Sequence, residues 1–256
     1  MDTAEEDDDT PVLSSSALDA LKEFYADRDA RAKAFEDLKA GAENDAEGRG
    51  KGMKDGKWSM DAFQEDWNES QFWYSDETAT ALAEELLSGT GKDTTIAVVS
   101  APSVFVQLKN ILAEKKEDKR PKIWLLEYDK RFEVFKDEFI FYDFKNPLKL
   151  PPSMKASIDH IIVDPPFLSE DCQTKAAMTV RWLSRSWGTG SPSSKLIACT
   201  GERMSTLINK LYRAQGVRTT TFEPVHSKGL SNEFFCYANF ECEKWTWRDQ
   251  DSETGT

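Results

Sequence analysis

Ile161-Ile162-Val163-Asp164-Pro165-Pro166-Phe167 is an apolar run that ends in an acid, two prolines and an aromatic ring. Pro165 and Pro166 have no backbone N–H, so a sheet ladder must stop there. Asp164 precedes a proline and is pushed toward an extended backbone. The stretch predicts a rigid acidic turn at the carboxyl end of a buried strand, with free carbonyl oxygens and a ring beside it. Such a turn can grip a planar or cationic amine. The same residues also suit an ordinary loop, so the surrounding pattern decides.

Outward from this point, strands and helices alternate. Upstream, residues 94–100 form a β-rich apolar run. Residues 103–116 carry Val104, Leu108, Ile111 and Leu112 on one helical face, and 122–127 and 138–144 read as strands. Downstream, 172–183 reads as a helix, 187–194 as a Gly/Ser/Pro loop, 195–200 as a strand, and 202–213 as a helix ended near Gly216. Residues 219–225 and 233–240 read as a closing antiparallel pair. Together with 159–164, these runs predict an α/β fold: a seven-stranded, mostly parallel, Rossmann-like sheet covered by helices on both faces. Ligands in such sheets sit at the carboxyl ends of the strands, near the reversal of strand order.

Earlier residues divide by composition. Residues 1–12 form an acidic tail with the composition of a disordered segment. Residues 13–57 hold a predicted helix over 17–38, with Leu18, Leu21, Phe24 and Tyr25 at helical spacing, and a polar linker over 41–57. Aromatic residues return at Trp58, and the main domain is expected over 58–245. Ser75 is the expected N-cap of a helix over 76–87 that ends near Gly89. Residues 246–256 read as a polar tail.

Composition excludes several function classes. No run is long enough to span a membrane, and no basic-then-apolar signal opens the chain. The expected location is cytoplasmic, with the nucleus left open. Cys172, Cys199, Cys236 and Cys242 form no CxxC pair, and His160 and His226 complete no metal-ligand set, so no metal is expected. The formal net charge is −13, whereas a protein that grips nucleic acid usually shows a basic footprint. A basic protein partner fits better, and nucleic acid is an unfavoured ligand.

Several segments now stand in order: Gln71-Phe72-Trp73-Tyr74-Ser75, Val99-Ser100-Ala101-Pro102-Ser103-Val104, Phe139-Ile140-Phe141-Tyr142-Asp143, Asp164-Pro165-Pro166-Phe167, Cys199-Thr200-Gly201 and Asn232-Glu233-Phe234. With them the chain resembles class I S-adenosylmethionine-dependent methyltransferases. More closely, it is similar to the protein-lysine methyltransferases of translation elongation factor 1-alpha, a family once labelled as N6-adenine DNA methyltransferases for its Asp-Pro-Pro-aromatic turn. The resemblance implies S-adenosyl-L-methionine as cofactor and translation elongation factor 1-alpha as protein substrate. One departure from general methyltransferases is the first-strand turn. Ser100-Ala101-Pro102-Ser103 stands where glycine usually lets the backbone approach a cofactor.

On this reading Asp164, Pro165, Pro166 and Phe167 form the catalytic turn. Ser100, Ala101 and Pro102 flank the cofactor. Glu127 at its strand end can accept both ribose hydroxyl hydrogens, with Asp129 as the neighbouring alternative. Asp143 can meet the adenine amino group and Phe144 its ring, although Asp143 also suits an Asx turn before Asn146-Pro147. Phe72 and Tyr74 can cover the cofactor or belong to the core. Two rival functions share the turn: an adenine-N6 methyltransferase that holds a flipped base, and a non-catalytic scaffold.

Overall fold

A computed structural model describes residues 53–54, 57–63, 71–186, 194–229 and 233–248. The tail over 1–12, the helix expected over 17–38, most of the 41–57 linker, the loop residues 187–193 and the end of the chain from 249 lie outside the described residues. Two short strands, β1 (Met53–Lys54) and β2 (Lys57–Trp58), pair with each other.

The main sheet is built on β3 (Thr95–Val99). Ile96 and Val98 enter one buried cluster, and Ala97 and Val99 the other. That period of two marks a strand covered on both faces, and it explains why the run is apolar throughout. β4 (Lys122–Glu127) and β6 (His160–Val163) flank β3 in parallel, β5 (Phe139–Phe141) extends the sheet beyond β4, and β7 (Lys195–Gly201) extends it beyond β6. β9 (Phe234–Ala238) runs antiparallel between β7 and β8 (Arg218–Thr219). The order β5-β4-β3-β6-β7-β9-β8 is the seven-stranded, mostly parallel sheet with an antiparallel end that the sequence predicts.

Helix α1 (Asp76–Leu87) starts where Ser75 Oγ accepts the Thr78 amide, and α2 (Pro102–Ala113) starts with proline in its first turn. Both pack on one face of the sheet. Helices α3 (Glu170–Leu183) and α4 (Ser205–Leu211) cover the other. In the described residues no helix is long and apolar enough to cross a membrane.

Three elements differ from expectation. The strand over 138–144 stops at Phe141, because Asp143 turns the chain: its Oδ1 accepts the Lys145 amide. The helix over 202–213 is split into a 3-10 turn, α4 and a second 3-10 turn. Of the strand expected over 219–225 only Thr219 lies in a strand, as the second residue of β8 (Arg218–Thr219). Thr220 gives both its amide and its hydroxyl to the Cys236 carbonyl, and Thr221 turns to Thr246. The chain then leaves the sheet and crosses to the segment before α1, where Ser75 N–H donates to Val225 O and Ser227 N–H to Trp73 O, both at 2.8 Å. Thr246, Trp247 and Arg248, the start of the segment read as a polar tail, are bonded to the sheet edge: Arg248 N–H donates to Thr219 O at 2.9 Å.

Ala156 is exposed and holds φ 52, a left-handed backbone, with its amide bonded to Trp182 O. That conformation costs a Cβ-bearing residue about 1–2 kcal/mol, whereas glycine costs about 0.4–1 kcal/mol through the freer unfolded chain. Ala156→Gly is expected to stabilise the fold by up to about 1 kcal/mol. The check is a higher urea midpoint at unchanged slope.

Candidate active site

At the carboxyl ends of β3 to β6 lies a cavity of about 470 Å³. Its wall includes Phe72, Ser100, Ala101, Pro102, Glu127, Asp143, Phe144, Asp164, Pro165, Pro166 and Phe167. Of the site residues expected from sequence, Tyr74 and the alternative acid Asp129 do not line it; Tyr74 stands behind the wall. It is buried, and its hydroxyl donates to Asp164 Oδ2 at 2.5 Å. Its proximity is therefore to the acidic turn rather than to a ligand surface.

Ser100 ends β3 at φ 55. The backbone takes the left-handed turn that glycine usually fills, and a serine holds it; the Ser100 amide donates to Leu126 O at 2.9 Å. The glycine-poor turn thus keeps the glycine-like path. Ala101 offers α2 no side-chain cap, so the first turn of the helix opens toward the cavity.

Glu127 is buried at the end of β4. Its Oε1 accepts the Tyr128 and Asp129 amides at 2.8 and 3.1 Å, and both bonds fall on that one oxygen. Asp129 is committed elsewhere: it accepts from Arg131 Nε at 2.8 Å and from Gln71 at 2.9 Å. Burial raises the Asp129 pKa, but the bonds from Arg131 outweigh it and hold the acid below its ordinary value. Asp143 forms the Asx turn that its sequence context allows, with Asn146 Nδ2 on Oδ2 at 2.9 Å, while still lining the cavity.

Asp164 is the last residue of the β6 run, and its amide donates to Val99 O at 3.0 Å. Neighbouring groups fix the turn that follows. Gln173 Nε2 on α3 donates to Phe167 O at 3.0 Å and to Thr200 Oγ1 at 3.0 Å. Gly201 lies against Leu168, where an added Cβ would stand 2.8 Å from a Leu168 methyl. Phe167 remains 39% exposed and faces Phe144 at 5.6 Å between ring centroids.

The cavity also holds residues that sequence reasoning missed: Tyr128, Leu168, Arg203, His226 and Phe234. The His226 ring lies 5.0 Å from Tyr74 and 4.8 Å from Phe234. No motif marks His226; only the crossing of residues 225–227 over 73–75 brings it here. Its one signal in sequence is that the chain has just two histidines.

Burial raises Glu127 to about 7, against the two amide bonds that lower it. Burial likewise raises Asp164 to about 7; the nearby Glu127 charge adds to the rise and the Tyr74 bond opposes it. Tyr74 is pushed well above 10, first by burial and then by Asp164, so it stays a donor. Both acids are raised above their unfolded values of 4.5 and 3.8. Their contribution to stability is full below those values and is lost as pH rises through about 7. Asp164→Asn is therefore expected to be more stable than the wild type above pH 7 and to lose that advantage toward pH 4, as followed by urea unfolding across the range.

A family model described as probable N6-adenine methyltransferase matches residues 65–242. The chain is 44% identical over 241 residues to the protein-lysine N-methyltransferase EFM5 of Saccharomyces cerevisiae, covering 91% of this chain and 94% of that one. It is 40% identical over 237 residues to EEF1A lysine methyltransferase 1 of Homo sapiens, covering 92% and 95%. A protein-lysine N-methyltransferase of Caenorhabditis elegans is 34% identical over 242 residues, covering 91% and 96%. These alignments span the sheet and the acidic turn alike, and by them the chain belongs to the family of S-adenosylmethionine-dependent protein-lysine N-methyltransferases.

Proposed function

We propose that this protein methylates the ε-amine of a lysine in translation elongation factor 1-alpha, and that it does so in the cytoplasm. The observation that carries the reading is the shared cavity: a ribose-type acceptor at Glu127 and an amine-type acceptor at Asp164 stand at the ends of β4 and β6, the two strands that flank β3. The residues present suit the cofactor. A cavity of about 470 Å³ falls within the ~300–1,000 Å³ of small-molecule sites. Glu127 Oε2 is left for the ribose diol, Asp143 and Phe144 for the adenine, and the small Ser100-Ala101 turn for close approach. Bound S-adenosylmethionine supplies an electrophilic methyl group on a cationic sulfur.

The chain's own groups then act on the amine. A free lysine has a pKa of about 10.4 and is mostly protonated at neutral pH. Desolvation in the cavity and a neighbouring positive charge both lower it, so a proton leaves to solvent. Tyr74 holds Asp164 Oδ2, which leaves Oδ1 and the Pro165 carbonyl to accept the remaining N–H bonds and aim the lone pair. Phe167 contacts the cationic amine or its stem at the mouth. Positioning supplies most of the acceleration.

Labelled methyl transfer into a eukaryotic lysate tests the function. Label that survives nuclease and runs with elongation factor 1-alpha supports it; label lost to nuclease assigns the adenine chemistry instead. Among variants, Glu127→Ala is expected to weaken cofactor binding by on the order of 1.5–3 kcal/mol, the worth of charge-assisted hydrogen bonds. Calorimetry checks this. Asp164→Ala should keep the fold and the cofactor yet lower single-turnover transfer by roughly 10²–10³. Near-normal turnover would make the turn structural only.

A further inference from the structure

Beside the main cavity lies a second one of about 410 Å³, bounded by Glu223, Val225, His226, Glu233, Phe234 and Arg248. His226 and Phe234 belong to both. Their rings meet edge to face at 4.8 Å and form the common wall. On the main-cavity side that wall stands close to Asp164, since the His226 ring lies 5.0 Å from the Tyr74 ring, whose hydroxyl holds the Asp164 carboxylate. We propose that the second cavity seats the segment of substrate polypeptide that flanks the target lysine, with the lysine side chain passing the His226–Phe234 wall toward Asp164.

This rests on the lysine reading and deepens it. A lysine stem is a flexible four-carbon chain with its charge at the tip, so it can reach past the edge of the His226–Phe234 pair while the main chain stays outside. A nearby space of this size, open to solvent and lined by both polar and apolar groups, suits that main chain. Val225 forms part of its floor and is 59% exposed.

Charge selects the occupant. Arg248 already shows how this wall holds a cation: its guanidinium donates to Glu223 at 2.6 Å and lies 3.9 Å over the Phe235 ring. Glu233 is in no ion pair among the described residues. The second cavity therefore offers one uncompensated carboxylate on a chain of net charge −13. A positively charged residue beside the target lysine complements it, whereas a phosphate backbone would be repelled.

Two exposed positions outside the catalytic machinery test the proposal in the full chain. Val225→Trp fills the second cavity, and Glu233→Arg reverses its charge. With unmethylated elongation factor 1-alpha as substrate, each is expected to raise KM for the protein at least about tenfold. kcat at saturation and the calorimetric Kd for S-adenosylmethionine should stay within about twofold, since Kd depends on groups across the wall. Circular dichroism and the retained cofactor Kd establish folding. Transfer by the wild type with KM unchanged in both variants overturns this inference alone. No transfer to protein by the wild type overturns it together with the lysine reading.

Discussion

Pro165 and Pro166 remove two consecutive backbone donors at the point where β6 would otherwise continue beside β3 and β7. The sheet must open there. Asp164 is the last residue tied to the ladder, through Val99 O, and a proline next in line keeps its backbone extended. Its side chain is thereby directed into the crevice on each side of which strand order runs in opposite directions. The surrounding structure reinforces that placement. Tyr74 binds the carboxylate, Gln173 binds the Phe167 carbonyl, and Gly201 leaves room for Leu168.

The electrostatic character of the site follows from that geometry. Two carboxylates, at the ends of the strands on either side of β3, are covered by protein, and both are pushed up to about 7. A buried acid without a cation is costly. On the proposed function, a cationic cofactor and an amine substrate would bring the compensating charges. The chain's overall net charge of −13 likewise favours a basic partner over an acidic one.

The antiparallel end of the sheet contributes through what it fails to do. β8 is only two residues long: Thr220 still bonds Cys236 of β9, but Thr221 already turns to Thr246. The chain freed from the sheet pairs with residues 73–75 instead. That exchange carries His226 to Tyr74 and Phe234, and it joins the region before α1 to the region before β9. Two stretches about 150 residues apart in sequence share one wall, and the ring cluster is the contact between them.

The fold was legible because its signals are local. Apolar runs separated by amphipathic helices determine a two-faced sheet, Ser75 determines the start of α1, and the proline pair determines where β6 ends and which acid stands at the rim. Glu127 was legible for the same reason, as the polar end of an apolar strand. What tertiary structure decided are choices among partners. Asp129 and Glu127 are both strand-end acids in sequence, but only packing gives Asp129 to Arg131 and Gln71 and turns Glu127 inward. Tyr74 reads equally as core or as ligand cover, and its role is set by a carboxylate 90 residues away. His226 has no local pattern, since its position depends on the pairing of residues 225–227 with residues 73–75 about 150 positions earlier. Local propensity sets which elements form and in what order; where some of them end, as at β5 and β8, and which side chain meets which depend on long-range pairing, and short-range patterns in a sequence do not encode it.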